Sequence, residues 1–166
     1  MITSVALALG SNIGDRESHL QFAIARLSHL LSNLRVSPFL DTEPEGVGPQ
    51  PQFLNAAATG ETTLDARGVL DALLSLEGER GRQRPLVGAP RTLDLDLILF
   101  GDQVIDLPDL QVPHPRFRER RFVLAPLAAI APGVVDPVTG LTVGELLDRL
   151  GPSTRCAVRL GSRRPE

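Results

Sequence analysis

Residues 92–100 read Thr-Leu-Asp-Leu-Asp-Leu-Ile-Leu-Phe, and no other stretch constrains the fold as much. Strict alternation of Leu and Asp has the two-residue period of a β-strand, not the 3.6-residue period of a helix. On such a strand Leu93, Leu95, Leu97 and Leu99 are expected to point together into a core. Asp94 and Asp96 then share the opposite face, with Cα atoms about 6–7 Å apart.

The remaining elements fall around this strand. Residues 3–9 alternate, with Val5, Leu7 and Leu9 on one side. Asp15 is placed to cap a helix whose stripe runs Leu20, Ala23, Ile24, Leu27, Leu30, Leu31 and Leu34. Residues 35–41 read as a second strand, with Pro38 marking an edge or a bulge. Residues 42–51, dense in Pro and Gly, read as a loop, and 52–62 as a third strand. A second helix is expected over Thr63–Glu79, and a loop rich in Arg, Gly and Pro over 80–91. After the Asp strand come a short partner at 103–106, a turn at Val112-Pro113-His114-Pro115, helices near 119–131 and 142–150, and a last strand at 155–160. The order β-α-β-β-α-β predicts an α+β, ferredoxin-like fold: an antiparallel sheet with helices on one face and a C-terminal helical extension. Nothing splits the chain, so residues 1–166 are expected to form a single domain.

Composition removes several functions. All 17 basic residues are Arg, which excludes a lysine Schiff base and the Lys-bearing phosphate loop. A single Cys, Cys156, allows neither an internal disulfide nor a cysteine zinc site. The net charge of -3 argues against nucleic-acid binding. No apolar run suits a membrane span, so the chain is expected to be cytoplasmic.

Two carboxylates side by side on one strand face repel each other, and a divalent cation removes the repulsion. Their hard oxygens suit magnesium. Arginines bracket the pair: Arg80, Arg82, Arg84 and Arg91 upstream, and Arg116, Arg118, Arg120 and Arg121 downstream, beside His114. The planar guanidinium fork matches phosphate oxygens. Carboxylates with surrounding arginines describe a phosphoryl-transfer site without a phosphate loop.

Gly-Arg-Gln-Arg at 81–84, Pro-Arg-Thr-Leu-Asp-Leu-Asp at 90–96, Val-Pro-His at 112–114 and Arg120-Arg121-Phe122 together resemble the signature of the 6-hydroxymethyl-7,8-dihydropterin pyrophosphokinases. Gly-Ser-Asn at 10–12, Thr42-Glu43-Pro44 and Phe53-Leu54-Asn55-Ala56 match in the same order, so the resemblance covers about residues 4–135. It implies that ATP donates pyrophosphate to the hydroxyl of 6-hydroxymethyl-7,8-dihydropterin, releasing AMP, in folate synthesis. It further implies that Asp94 and Asp96 hold two Mg2+ ions with ATP, and that Arg82 and Arg91 assist transfer. Glu77, Arg84, Leu97, His114 and Arg120 are implied at the ATP site. Thr42, Glu43 and Pro44, with Phe53, Asn55 and Phe122, are implied at the pterin pocket. Where the family often places a lid Trp, this chain has Val87-Gly88. A monomer is expected, with no nucleic-acid or membrane partner. His19 and His29, on the first helix, are read as surface or capping residues.

Two rival readings stay open on the residues alone. One is a metal-dependent phosphoesterase using the same Asp pair. The other is a ferredoxin-like RNA-binding module, which needs exposed aromatics and a basic face on the sheet, where the Asp-bearing strand, read as central, offers carboxylates.

Overall fold

A computed structural model describes residues 1–42, 52–81 and 92–151, and the backbone of 156–158. Strand β1 (Thr3–Ser11) leads through Gly14 to helix α1 (Arg16–Leu30). Asp15 caps α1 by accepting the Ser18 N–H at 3.1 Å, as its position before the leucine stripe suggests. The expected second strand is two strands, β2 (Ser32–Val36) and β3 (Leu40–Thr42). Pro38, which has no N–H, lies in the break. There the backbone swaps to a side chain: Ala57 N–H donates to Ser37 Oγ at 2.9 Å, and Ser37 N–H to Ala57 C=O at 2.9 Å.

Strand β4 (Phe53–Thr62) follows, then helix α2 (Ala66–Glu79), which begins three residues later than expected because Asp65 supplies its cap. Strand β5 (Asp94–Phe100), the hairpin β6 (Ile105–Leu107) and β7 (Leu110–Val112), a 3-10 turn (Phe117–Glu119), α3 (Arg121–Ile130), α4 (Val143–Leu150) and β8 (Cys156–Val158) complete the chain. In the main sheet the order is β5-β1-β4-β3-β8, with β2 beside β3 on the same edge of β4, and every pairing is antiparallel.

Strands β1 and β4 are interior, and β5, read from the sequence as central, is an edge strand. That edge is not left open. The buried Glu77 carboxylate accepts the outward N–H of Leu95 at 2.7 Å, and His114 N–H donates to Ile98 C=O at 2.9 Å. Both contacts satisfy groups that an edge strand would otherwise offer to another chain.

Helices cover both faces, not one. Helices α1 and α2 pack on Val5, Leu7, Leu9, Leu54, Ala56, Ala58, Leu93, Leu95 and Leu97. On the far side α3, α4 and Phe117 pack on Ala6, Ala8, Ala57, Ile98 and Leu99. The alternation of large Val and Leu with Ala in β1 builds both interfaces, since Ala is itself apolar and lets α3 come close. Leu99 therefore lies on the face opposite to the one expected. Ala6 pairs with Leu99 and Leu7 with Leu97, so Ile98 is an extra residue in β5. A bulge of this kind reverses the phase of the alternation beyond it.

Candidate functional site

The site grows from register. Gly10 pairs with Asn55 on one side and Asp94 on the other, and Ala8 pairs with Ala57 and Asp96. Cross-strand partners share a face, so Asp94, Asp96, Gly10, Asn55 and Phe53 lie on the face covered further along by α3. Thr42 pairs with Phe53 and joins them. Five of the sequence-derived candidates, from three strands, thus meet on one surface.

Within this group the polar side chains are held. Asn55, 5% exposed, donates from Nδ2 to Thr42 Oγ1 at 2.6 Å. That bond turns the Asn55 carbonyl oxygen toward Gly10, where an added Cβ would stand only 2.9 Å away. Glycine at position 10 is therefore needed by a neighbour rather than by its own backbone, a requirement that a lone Gly in a strand signals. Phe53 also borders Gly10 and is half-buried. Phe122 enters from the first turn of α3, partly buried against the second core, with the Arg120 guanidinium 5.5 Å from its ring centroid.

A second group follows the edge of β5. Glu77 reaches it from α2, and His114 from the turn after β7. Leu97 lies between them with its side chain in the core of α1 and α2. The alternation that turns the Leu95 N–H outward also turns the Leu97 peptide groups outward, so Leu97 can offer backbone groups only. Burial pushes the His114 imidazole down to about 4, with Arg120 adding to the effect, Asp94 opposing it and Arg116 adding again. His114 is thus neutral near pH 7. Its Nδ1 accepts the Arg116 N–H at 3.2 Å, which leaves Nε2 to carry the proton and donate it to an acceptor.

The arginines do not converge as one set. The Arg80 guanidinium turns away to α1, where Nε donates to His19 Nδ1 at 3.0 Å and the group stacks 4.7 Å from the Phe22 ring centroid. His19, read as a surface or capping residue, is therefore a partner of the loop stem. Arg118 forks onto the buried Asp136, with Nη2 donating to Oδ1 at 3.0 Å, and Arg116 pairs with Glu119. For Arg80 and Arg118 these partners lie 61 and 18 residues away, where the order of residues does not disclose them. Arg120 stays beside His114 and Phe122. Arg82, Arg84, Arg91, Glu43 and Pro44, and the Val87-Gly88 position, lie outside the described residues.

The chain matches the family model "7,8-dihydro-6-hydroxymethylpterin-pyrophosphokinase" over residues 6–132. The chain belongs to that family. As a family member it is a pyrophosphokinase, an ATP-dependent transferase that moves pyrophosphate to hydroxymethyldihydropterin in folate synthesis. Family membership favours that activity over the phosphoesterase and RNA-binding readings. The chain is similar to a 2-amino-4-hydroxy-6-hydroxymethyldihydropteridine pyrophosphokinase of Pseudomonas aeruginosa, at 44% identity over 89% of this chain and 91% of that one. It is similar to the Bacillus subtilis protein of the same name at 44% identity over 80% and 81%. Its fold is similar to that of a crystallised Plasmodium falciparum HPPK-DHPS with pteroate, with a TM-score of 0.73 at 15% identity. There it covers 90% of this chain and 42% of that protein, so this chain spans less than half the length of the Plasmodium relative.

Proposed function

We propose that the pyrophosphokinase reaction runs on the sheet face shared by Asp94, Asp96, Thr42, Phe53 and Asn55, with the pterin and ATP meeting above the two aspartates. The observation that carries this reading is the register of β3, β4, β1 and β5, which puts all five on one surface. The pterin ring lies between Phe53 and Phe122. A flat heterocycle needs an apolar slot with few fixed polar groups, and the Asn55 carbonyl oxygen, oriented by Thr42, is one. Thr42, Glu43 and Pro44 complete the pocket. The nucleotide runs along the edge of β5, with Glu77, the Leu97 backbone, the His114 Nε2–H, Arg84 and Arg120 around it.

Asp94 and Asp96, both half-exposed, suit magnesium. No cluster of three or more metal-ligating side chains occurs among the described residues, so two carboxylates leave the remaining positions to water and phosphate oxygens, the usual magnesium environment. Bound there, two Mg2+ ions would neutralise phosphate charge and align the reacting oxygens. The chain's own part is to hold the pterin hydroxyl in line with the β-phosphorus, exclude water, and stabilise charge on the bridging oxygens through Arg82 and Arg91. The hydroxyl proton is released to solvent as the bond from the pterin oxygen to the β-phosphorus forms and the bond from that phosphorus to the AMP oxygen breaks.

We read the fold as ferredoxin-like, with β2 and β3 together standing for the second strand of the β-α-β-β-α-β order, and residues 1–166 as one domain. Among the described residues no helix is long and apolar enough to cross a membrane. We place the enzyme in the cytoplasm. A monomer without nucleic-acid partners completes the reading. Incubation with ATP, magnesium and 6-hydroxymethyl-7,8-dihydropterin, followed by mass detection, tests the chemistry. AMP and pterin diphosphate are expected in equal amounts. Nucleotide cleavage that proceeds equally well without pterin would sink the reading.

A further inference from the structure

The first turn of α1 meets the strand pair that carries Thr42 and Phe53, from behind. Arg16 Nη1 donates to the Gln52 carbonyl at 2.8 Å and lies 3.0 Å from Asp41 Oδ1. Asp41 and Gln52 immediately precede Thr42 and Phe53, which are register partners in β3 and β4. Alternation puts Asp41 on the α1 side and Thr42 on the opposite side. One guanidinium thus spans the ends of two strands on the rear of the sheet, while their next residues build the front.

We propose that Arg16 is a positioning residue for the pterin pocket, fixing β3 against β4 so that Thr42, Phe53 and Asn55 keep one geometry. This rests on the assignment of those three residues to the pterin. β3 has only three residues, so its own ladder to β4 is short. An isolated surface ion pair contributes little, because both long side chains must be ordered and solvent screens them. The Arg16 and Asp41 side chains are 26% and 22% exposed, and the same Nη1 also holds a backbone carbonyl. That hydrogen bond ties the main chain of the neighbouring strand to a charge pair whose own contact is an ion pair and not a hydrogen bond. Loss of the clamp lets β3 shift relative to β4, and the Asn55–Thr42 bond, which aims the Asn55 oxygen, is lost in part of the population. A ligand then binds only the competent fraction, and its apparent affinity falls by that fraction. The nucleotide edge, built from β5, α2 and the His114 turn, shares none of these contacts.

Steady-state kinetics of Arg16→Ala, Arg16→Lys and Asn55→Ala, each with ATP and with pterin varied in turn, decide the matter. For Arg16→Ala the pterin KM is expected to rise about tenfold, the value for a competent fraction near a tenth. The ATP KM and kcat should stay within about twofold, and Arg16→Lys should recover part of the loss by keeping the charge beside Asp41. If Arg16→Ala folds poorly, Asp41→Asn should give the same selective rise, smaller in size. An unchanged pterin KM in Arg16→Ala, with a raised one in Asn55→Ala, overturns the role of Arg16 and leaves the pocket standing. A rise of both KM values together with a fall in kcat and melting temperature overturns it as well, since that is general destabilisation. If Asn55→Ala leaves the pterin KM unchanged, the pocket itself is misplaced and the proposal falls with it.

Discussion

A Cβ on Gly10 would meet Asn55 Oδ1 at 2.9 Å and Phe53 Cδ1 at 3.7 Å, so one absent methyl decides how closely two strands present their polar and aromatic groups. Charge works at the same scale. Asp94 and Asp96 are half-buried neighbours on one strand face, so Asp94→Ala or Asp96→Ala should stay folded in magnesium-free buffer. Turnover should fall about a hundredfold or more, because metal-borne stabilisation amounts to several kcal/mol. A variant that unfolds, or one that turns over near the native rate, refutes the assignment. The imidazoles give a pH signature. Burial and then Arg80 lower His19, against the pull of Asp15, and burial lowers His114 to about 4. With folded values below the unfolded 6.5, the unfolded chain binds more protons in this window. Stability is therefore full above pH 6.5 and is lost as pH falls from there toward about 4. Denaturant titrations of the ligand-free protein at pH 7 and 5 should show the loss, and His19→Gln should reduce it. A slope that His19→Gln leaves intact would mean that His19 does not contribute.

The edge of β5 concentrates several tasks in one element. Its inner side pairs with β1, its leucine face packs on α1 and α2, its other face carries Asp94 and Asp96, and its outer peptide groups meet Glu77 and His114. The bulge at Ile98 lets one strand serve two cores, with Leu97 in the first and Ile98 and Leu99 in the second. Glu77 is 2% exposed and accepts the buried Leu95 N–H. Glu77→Ala should cost about 1–3 kcal/mol of stability, because that N–H loses its acceptor away from water. Glu77→Gln keeps a carbonyl oxygen there and should cost less. Chemical denaturation of both variants, with ATP affinity measured by calorimetry, separates the strand-capping role from the proposed nucleotide contact. Equal stability of Glu77→Ala and the native chain would remove the capping role.

Across the whole molecule, two cores on opposite faces of one sheet support the candidate site, since α3 and its cap bring Phe122 and Arg120 and α1 and α2 pack beneath the strands. The second core is tied by a buried carboxylate. Asp136, fully buried, takes Arg118 on both oxygens, the Thr139 hydroxyl at 2.7 Å and the Val138 N–H at 3.0 Å. Burial pushes its carboxyl up, but Arg118, Thr139 and Val138 together outweigh that and hold it below the usual range. Arg118→Ala leaves a buried charge without its main partner and should cost about 3 kcal/mol, the low end for such a loss because Arg118 is partly solvated. For a chain of this size that lowers the melting temperature by roughly 6–12 °C. Folded Arg118→Ala should keep both KM values near native when assayed well below its melting temperature. A pronounced rise in the ATP KM would return Arg118 to the phosphate site.

The Leu-Asp alternation by itself determined that β5 is a strand, that Asp94 and Asp96 share a face, and that a core lies behind them, because a two-residue period has one geometric meaning. The motif order Gly-Ser-Asn, Phe-Leu-Asn-Ala, Pro-Arg-Thr-Leu-Asp-Leu-Asp carried the family. Caps at Asp15 and Asp65 are equally local, although the second was legible only as a helix starting near residue 63. Partner choice is not local. Whether an arginine meets phosphate, His19 or Asp136 depends on residues well outside its own run, 61 positions away for Arg80 and 18 for Arg118, and a run of arginines looks the same in each case. The two-sided sheet was hidden for a related reason: Ala6, Ala8 and Ala57 carry too little hydrophobic signal to declare a second core until α3 is seen against them. The bulge at Ile98 and the edge position of β5 depend on pairing register, which arises only when β1 and β5 meet, and so tertiary structure alone decided which leucines entered which core.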